Sequence, residues 1–71
     1  MKGILKWYNR VKGYGFVMES GRDLFFHHTG VAMEKKALET LETHQGEGVE
    51  FEEEVSNRGP KAVQVRLLTN P

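Results

Sequence analysis

The chain has 71 residues, ten basic and ten acidic side chains, and no cysteine. Without cysteine it cannot form disulfides, thiolate-bound zinc or a thiol nucleophile, and its length predicts one domain, residues 1–71, with a small core. No apolar run is as long as a membrane span and the first residues do not resemble a signal peptide, so we expect a soluble, cytoplasmic protein with no membrane partner.

The charges sum to zero but are unevenly distributed. Residues 1–33 carry five basic and two acidic side chains, a net charge of +3, whereas residues 34–71 carry five basic side chains and eight glutamates, a net charge of −3. Six of the seven aromatic residues also lie in the basic part. A basic and aromatic segment favours contact with nucleic acid, while the glutamate excess is typical of a solvated face.

Residues 2–10 are predicted to form the first strand, because they are rich in β-favouring residues. Strict alternation would place Leu5 and Trp7 on one face, and Lys6 and Tyr8 on the other. Lys6 and Trp7 can reach the same face only if the strand coils or carries a bulge.

The second strand is predicted over residues 14–19, after a turn. Tyr14, Phe16 and Met18 would project from one face, and Gly15 and Val17 from the other. Two neighbouring rings suit nucleobases, since stacking on an exposed aromatic contributes about 1–3 kcal/mol per base. We expect Gly15 to leave room for a flat partner between the rings. A core strand with two buried aromatics is the alternative for this segment taken alone.

The third strand is predicted over residues 23–28, after a short hairpin connection. Leu24 and Phe26 alternate with Phe25 and His27, and we expect the first pair to face inward. Because adjacent strand residues point in opposite directions, His27 and His28 are not expected to share a metal ion.

Residues 29–45 are predicted to contain one short amphipathic helix that caps the barrel, with Thr29 or Gly30 at its start. Residues 49–55 then alternate apolar residues with glutamates, which predicts a fourth strand with Val49, Phe51 and Val55 on its apolar side. The last strand is predicted over residues 61–68, followed by a frayed end at 69–71. Its apolar side would carry Val63, Val65 and Leu67.

Five short strands with one longer crossing between the third and fourth predict an all-β fold. An antiparallel meander followed by such a crossover is compatible with a small closed Greek-key barrel, and closure would remove exposed strand edges.

Four segments together resemble the bacterial cold-shock domain proteins. They are Gly3 with residues 5–9 (LKWYN), residues 12–17 (KGYGFV), residues 23–27 (DLFFH) and residues 57–62 (NRGPKA). The resemblance implies a five-stranded OB-type barrel that binds single-stranded RNA and DNA, as an RNA chaperone or a regulator of gene expression. By motif matching it also implies eight binding-surface residues: Lys6, Trp7, Lys12, Tyr14, Phe16, Phe25, His27 and Arg58.

Two departures from the family predict weaker binding. His28 stands where the family usually has phenylalanine, and although imidazole can still stack on a base, it offers less area. We therefore include His28 in the stacking surface. The segment 29–45 also looks longer than its family counterpart and lacks the usual glycine–aromatic pair.

Other functions receive less support from the sequence. The order of the aromatic motifs disfavours an RNA-recognition motif. No serine, histidine or carboxylate arrangement indicates an enzyme, and no cofactor, metal or small-molecule substrate is expected. The principal alternative is a protein–protein interaction module that uses the same aromatic patch. The sequence leaves open a monomer or a weak, strand-exchanged dimer.

Overall fold

The computed structural model describes residues 1–68, so the predicted fraying of residues 69–71 lies outside the described part. Its strands are β1 (Lys2–Asn9), β2 (Tyr14–Glu19), β3 (Arg22–His27), β4 (Gly48–Ser56) and β5 (Gly59–Leu67). They close into a barrel in the order β1-β2-β3-β5-β4. This architecture confirms the predicted five-stranded, all-β fold of the OB type, with a small helical portion between β3 and β4.

The strand directions place the start of β5 beside β3. Within residues 1–68 four of the pairings are antiparallel, and β3 pairs with β5 in parallel, with Phe25 opposite Lys61. A closed ring with an odd number of strands cannot alternate direction all the way round, so one neighbouring pair must be parallel. As a result the β4–β5 turn lies next to Phe25.

β1 contains a bulge, one of the two features that would let Lys6 and Trp7 reach the same face. Leu5 pairs with Val17 and Trp7 pairs with Phe16, so Lys6 is an extra residue with no partner position on β2. Leu5 and Tyr8 are both buried, although they are three positions apart, while Lys6 is exposed and Trp7 is half-buried. The bulge therefore turns Lys6 and Trp7 outward without removing Tyr8 from the core.

Gly15 serves the packing of the barrel rather than the approach of a ligand. It is buried, and a Cβ atom there would lie 2.9 Å from the Tyr8 Cα and 3.0 Å from the Phe26 ring. The expectation that Gly15 clears space between the outer rings is wrong, because its missing side chain would point inward. Leu24 and Phe26 face inward as predicted, and both are fully buried.

A bulge in β5 changes the predicted apolar side of that strand. Gln64 has a positive φ of 56°, and the register with β4 shifts at this point. The buried residues are consequently Ala62 and Val65, whereas Val63 and Leu67 are only partly buried. After the bulge, Val65 and Leu67 face the core as predicted. Before the bulge the prediction is wrong, because Ala62 is buried there and Val63 is not.

β4 follows its predicted alternation only in its first half. Val49 and Phe51 are buried in the core, but Val55 is 82% exposed. Val55 pairs with Pro60 at the end of the β4–β5 hairpin, where the strands extend past the core. Its predicted place on the apolar side is therefore wrong.

The segment between β3 and β4 forms short helical pieces instead of one helix. They are a 3₁₀ turn at His28–Gly30, α1 (Lys35–Glu39) and a 3₁₀ turn at Leu41–His44. The backbone N–H of Ala32 donates to the Val65 carbonyl (2.8 Å), and Val31 forms a parallel bridge with Val65. These contacts hold the chain extended where the predicted helix would have begun.

The predicted cap of this helix is also wrong, since α1 begins after Glu34, which makes no side-chain capping hydrogen bond. The predicted barrel-capping role falls instead to Leu41, which is fully buried and belongs to the core cluster. Within residues 1–68, none of the helices has the length and apolar character needed to span a membrane.

Candidate nucleic-acid interface

Four aromatic rings form a continuous cluster on the outer face of β1, β2 and β3. Phe16 is central, because it pairs with Trp7 on one side and Phe25 on the other, and paired residues project to the same side of a sheet. The ring centroids lie 5.3 Å apart for Trp7–Phe16, 5.5 Å for Trp7–Tyr14, 5.7 Å for Tyr14–Phe25 and 5.9 Å for Phe16–Phe25. We call these four residues the aromatic platform.

The aromatic platform is not part of the core. Phe25 is 38% exposed and the other three rings are partly exposed, while Gly15 and Val17 between them are buried. The alternative of a core strand with Tyr14 and Phe16 buried is therefore excluded. A contiguous exposed apolar surface on a small barrel is typical of a binding site.

Two histidines extend the aromatic platform at one end. His27 pairs with Tyr14 across β2 and β3, and its Nδ1 lies 2.9 Å from the Thr29 hydroxyl. The rings of His27 and His28 have centroids 4.4 Å apart. We expected the two side chains to point in opposite directions, as neighbours on a strand do. This expectation is wrong, because β3 ends at His27 and a 3₁₀ turn begins at His28.

In the part of the chain that the structure describes, no three histidine or carboxylate side chains converge in a way that would hold a metal ion.

The three predicted cations lie at the borders of this surface. Lys6 Nζ is 2.6 Å from an Asp23 carboxylate oxygen, so part of its charge is already compensated. Lys12 and Arg58 are exposed and form no ion pair with any residue between 1 and 68. Lys12 lies in the β1–β2 turn, where its backbone N–H donates to the Asn9 side chain (2.9 Å).

Arg58 reaches the aromatic platform through a groove that the strand order creates. The groove runs between Phe25 and the β4–β5 turn, and Arg58, Pro60 and Lys61 line it. The backbone N–H of Arg58 donates to the Ser56 hydroxyl (3.3 Å), which anchors the turn. Lys61 was not among the predicted site residues, because its position next to Phe25 follows from the β3–β5 pairing. The only sequence signal for it was its place in the matched segment 57–62.

Several glutamates of β2 and β4 form local ion pairs. Arg22 contacts Glu19 (2.8 Å) and Glu53 (2.9 Å), and Arg66 contacts Glu50 (2.8 Å). Hydrogen bonds from Arg22 lower the pKa of the Glu19 and Glu53 carboxyls, and hydrogen bonds from Arg66 lower the pKa of Glu50. These arginines are therefore engaged with carboxylates.

The nine predicted residues occupy one side of the barrel. Four of them form the aromatic platform, His27 and His28 follow at its Tyr14 end, and Lys6, Lys12 and Arg58 lie around them. Such an arrangement offers flat apolar faces for stacking with cations at the edge, which is the chemistry that single-stranded nucleic acids require.

Comparisons with known proteins agree over nearly the whole chain. The family model described as the 'Cold-shock' DNA-binding domain matches residues 1–68. "Cold shock protein 1" of Lactiplantibacillus plantarum is 45% identical over 64 residues, covering 89% of this chain and 91% of that protein. "Cold shock protein CspB" of Bacillus caldolyticus is 45% identical over 68 residues, covering 94% and 97%. The "Major cold shock protein" of Streptococcus pyogenes serotype M18 is 40% identical, covering 94% and 96%.

Proposed function

The chain belongs to the cold-shock DNA-binding domain family, and from this premise we propose that it binds single-stranded RNA and DNA by stacking bases on the aromatic platform. The observation that carries the proposal is the platform itself, four rings in contact and partly exposed on the outside of a closed barrel. Because every base has a flat π-face, such a surface binds many sequences. In this proposal the protein has no enzymatic activity and requires no cofactor.

The proposed roles follow from the positions of the side chains. Bases would stack on the aromatic platform and on His27 and His28, which continue it at the Tyr14 end. Lys12 and Arg58 would contact phosphates or base edges, since both are exposed. Lys6 would do so only by sharing its ammonium with Asp23, so we expect it to contribute less than Lys12 or Arg58.

The same chemistry favours single strands over duplexes. In a duplex the bases are stacked on each other, so their faces are available to the protein only after unpairing. A protein that binds exposed bases with little regard to sequence opposes the formation of RNA secondary structure. This is the physical basis on which we propose an RNA-chaperone or gene-regulatory role.

Tryptophan fluorescence tests the proposal directly, because Trp7 is the single tryptophan of the chain and lies in the aromatic platform. The protein is titrated with a short oligo-dT and, as control, with a duplex of equal length. We expect saturable quenching of Trp7 by the single strand alone.

One observation favours a second candidate function. Ile4 and Met18 face each other across β1 and β2 and are 43% and 39% exposed, which extends the apolar surface beyond the rings. Extended apolar surfaces also mark protein interfaces. If Trp7 does not respond to oligo-dT at low salt, a protein–protein interaction module becomes the better interpretation.

A further inference from the structure

We propose that a basic groove beside the aromatic platform holds the phosphodiester backbone of a bound single strand after the strand has passed over the platform. The inference rests on the proposed function and adds a second contact region to it. The groove has a volume of about 220 Å³ and lies between the β1–β2 turn, the 3₁₀ turn after β3, and α1. Arg10 and Lys35, which line it, were not among the predicted site residues.

The charge of the groove suits an anion. Arg10, Lys12 and Lys35 line it against a single lining carboxylate, that of Glu39. Outside the groove, Glu42 lies 3.5 Å from Arg10 and compensates part of its charge. Lys12 and Lys35 form no ion pair with any residue in the described range 1–68, so both ammonium groups are available to a phosphate.

The floor of the groove favours a backbone over a base. Its aromatic residue, Tyr8, is 6% exposed and its ring is already stacked on Phe26, with centroids 5.6 Å apart and an interplanar angle of 13°. Leu38, the other large apolar residue of the floor, packs against the core. Apart from His28 at its entrance, the groove therefore presents cations at its rim without a free aromatic face for stacking.

His28 connects the groove to the aromatic platform. Its ring lies 4.4 Å from that of His27 and also lines the groove. The backbone N–H of His28 donates to the Gly13 carbonyl (2.8 Å), and the ring lies against the Gly13 Cα, where a Cβ would be 2.7 Å from Cδ2. These contacts fix His28 at the point where a bound nucleic-acid strand would leave the aromatic platform and enter the groove.

The test separates phosphates from bases. The probe is an oligo-dT of about four nucleotides, long enough for the platform, with or without about four abasic nucleotides at either end. An abasic extension supplies phosphates but cannot stack. Affinities are measured by fluorescence anisotropy for the unsubstituted protein and for Lys35→Gln, Arg10→Gln and Lys36→Gln.

Lys36→Gln is the matched control, because Lys36 neighbours Lys35 on α1, carries the same charge and does not line the groove. Thermal unfolding of each variant verifies that the fold is kept. A fourth variant, Glu39→Gln, removes the carboxylate of the groove and should tighten binding of the extended probe.

We expect an extension at one end to tighten binding by the unsubstituted protein about three- to fivefold. Lys35→Gln and Arg10→Gln should lose this gain, and Lys36→Gln should keep it. If no extension tightens binding, or if Lys35→Gln and Lys36→Gln lose equally, the groove has no specific role and the inference is overturned while the proposed function stands. If the unsubstituted protein binds none of the probes, both are overturned.

Discussion

The aromatic platform and the glutamates of β4 both lie on the outside of the barrel. They differ in whether their side chains already have binding partners within the protein. The platform consists of apolar rings that contact each other and remain partly exposed. Glu50 and Glu53 of β4 are instead hydrogen-bonded to arginines, and Glu54 lies 3.3 Å from Lys61. Exposed rings keep their stacking capacity for a ligand, whereas the matched charges are already satisfied within the protein.

This difference explains how a chain of zero net charge could bind a polyanion, as we propose. Unmatched glutamates would repel phosphates, but three glutamates of β4 form ion pairs, which are Glu50 with Arg66, Glu53 with Arg22 and Glu54 with Lys61. Lys12 and Arg58, by contrast, lie near the platform without such partners in residues 1–68. The local field near the rings is therefore set by the unpaired cations rather than by the net charge.

The largest expected effect comes from removing the central ring of the platform. Phe16→Ala should weaken oligo-dT binding roughly 10- to 100-fold, because one stacking site is worth about 1–3 kcal/mol. Fluorescence anisotropy of a labelled oligonucleotide measures this. Leu68→Ala is the control, since Leu68 is an exposed apolar residue that hydrogen-bonds to Gly48, at the end of the β4–β5 pair opposite to the β4–β5 turn. A change below about twofold in folded Phe16→Ala would show that the platform does not carry binding.

A smaller effect, of opposite sign, is expected at the end of the platform. His28→Phe should tighten binding to a pyrimidine oligonucleotide about two- to fivefold, because a benzyl ring offers more stacking area than imidazole. Fluorescence anisotropy of a labelled pyrimidine oligonucleotide measures this gain. Unchanged or weaker binding would contradict a stacking role for position 28.

The salt dependence distinguishes available cations from engaged ones. With about three phosphate contacts, the slope of log K against log salt for a single strand covering the platform should be about −2. Arg58→Gln should flatten it by about 0.7. Arg66→Gln changes the net charge equally but removes a side chain already bound to Glu50, so the slope should stay the same. Equal flattening by both variants would mean that only the net charge matters.

The smallest effect concerns stability in acid. The folded-state pKa values of Glu19, Glu50 and Glu53 lie below the ordinary value of 4.5. The stabilisation that these ion pairs give to the folded state is therefore fully present above about pH 4.5. It is lost as the pH falls through the folded-state pKa values of the three carboxyls. Urea unfolding from about pH 6 to about pH 3 should show this loss. The effect is small because these pairs are exposed to solvent.

Arg22→Gln sharpens that measurement, because it removes the hydrogen bonds that lower the pKa of Glu19 and Glu53. The variant should lose stability less steeply in acid than the unsubstituted protein. An identical acid dependence would show that Arg22 does not couple to folding. Oligo-dT binding near neutral pH should be unaffected, since Arg22 lies outside the predicted site.

Much of the site was predictable because it lies on regular strands. Period-two alternation in β2 and β3 is a local property of extended backbone, so the sequence alone assigns Tyr14 with Phe16, and Phe25 with His27, to one face. The same rule indicated that β1 must coil or carry a bulge if Lys6 and Trp7 are to share a face, and the structure shows the bulge. The motifs around these residues also identified the family.

Alternation and propensity act over a few neighbouring residues, so they were enough to assign the strand segments and the faces that carry the rings. The Gln64 bulge, the short α1 and the positions of Lys61, Arg10 and Lys35 became visible only in the folded chain. Each depends on contacts between residues distant in the chain. Barrel closure sets β5 beside β3, and the Ala32–Val65 hydrogen bond competes with helix formation, so neither outcome is encoded in a local pattern.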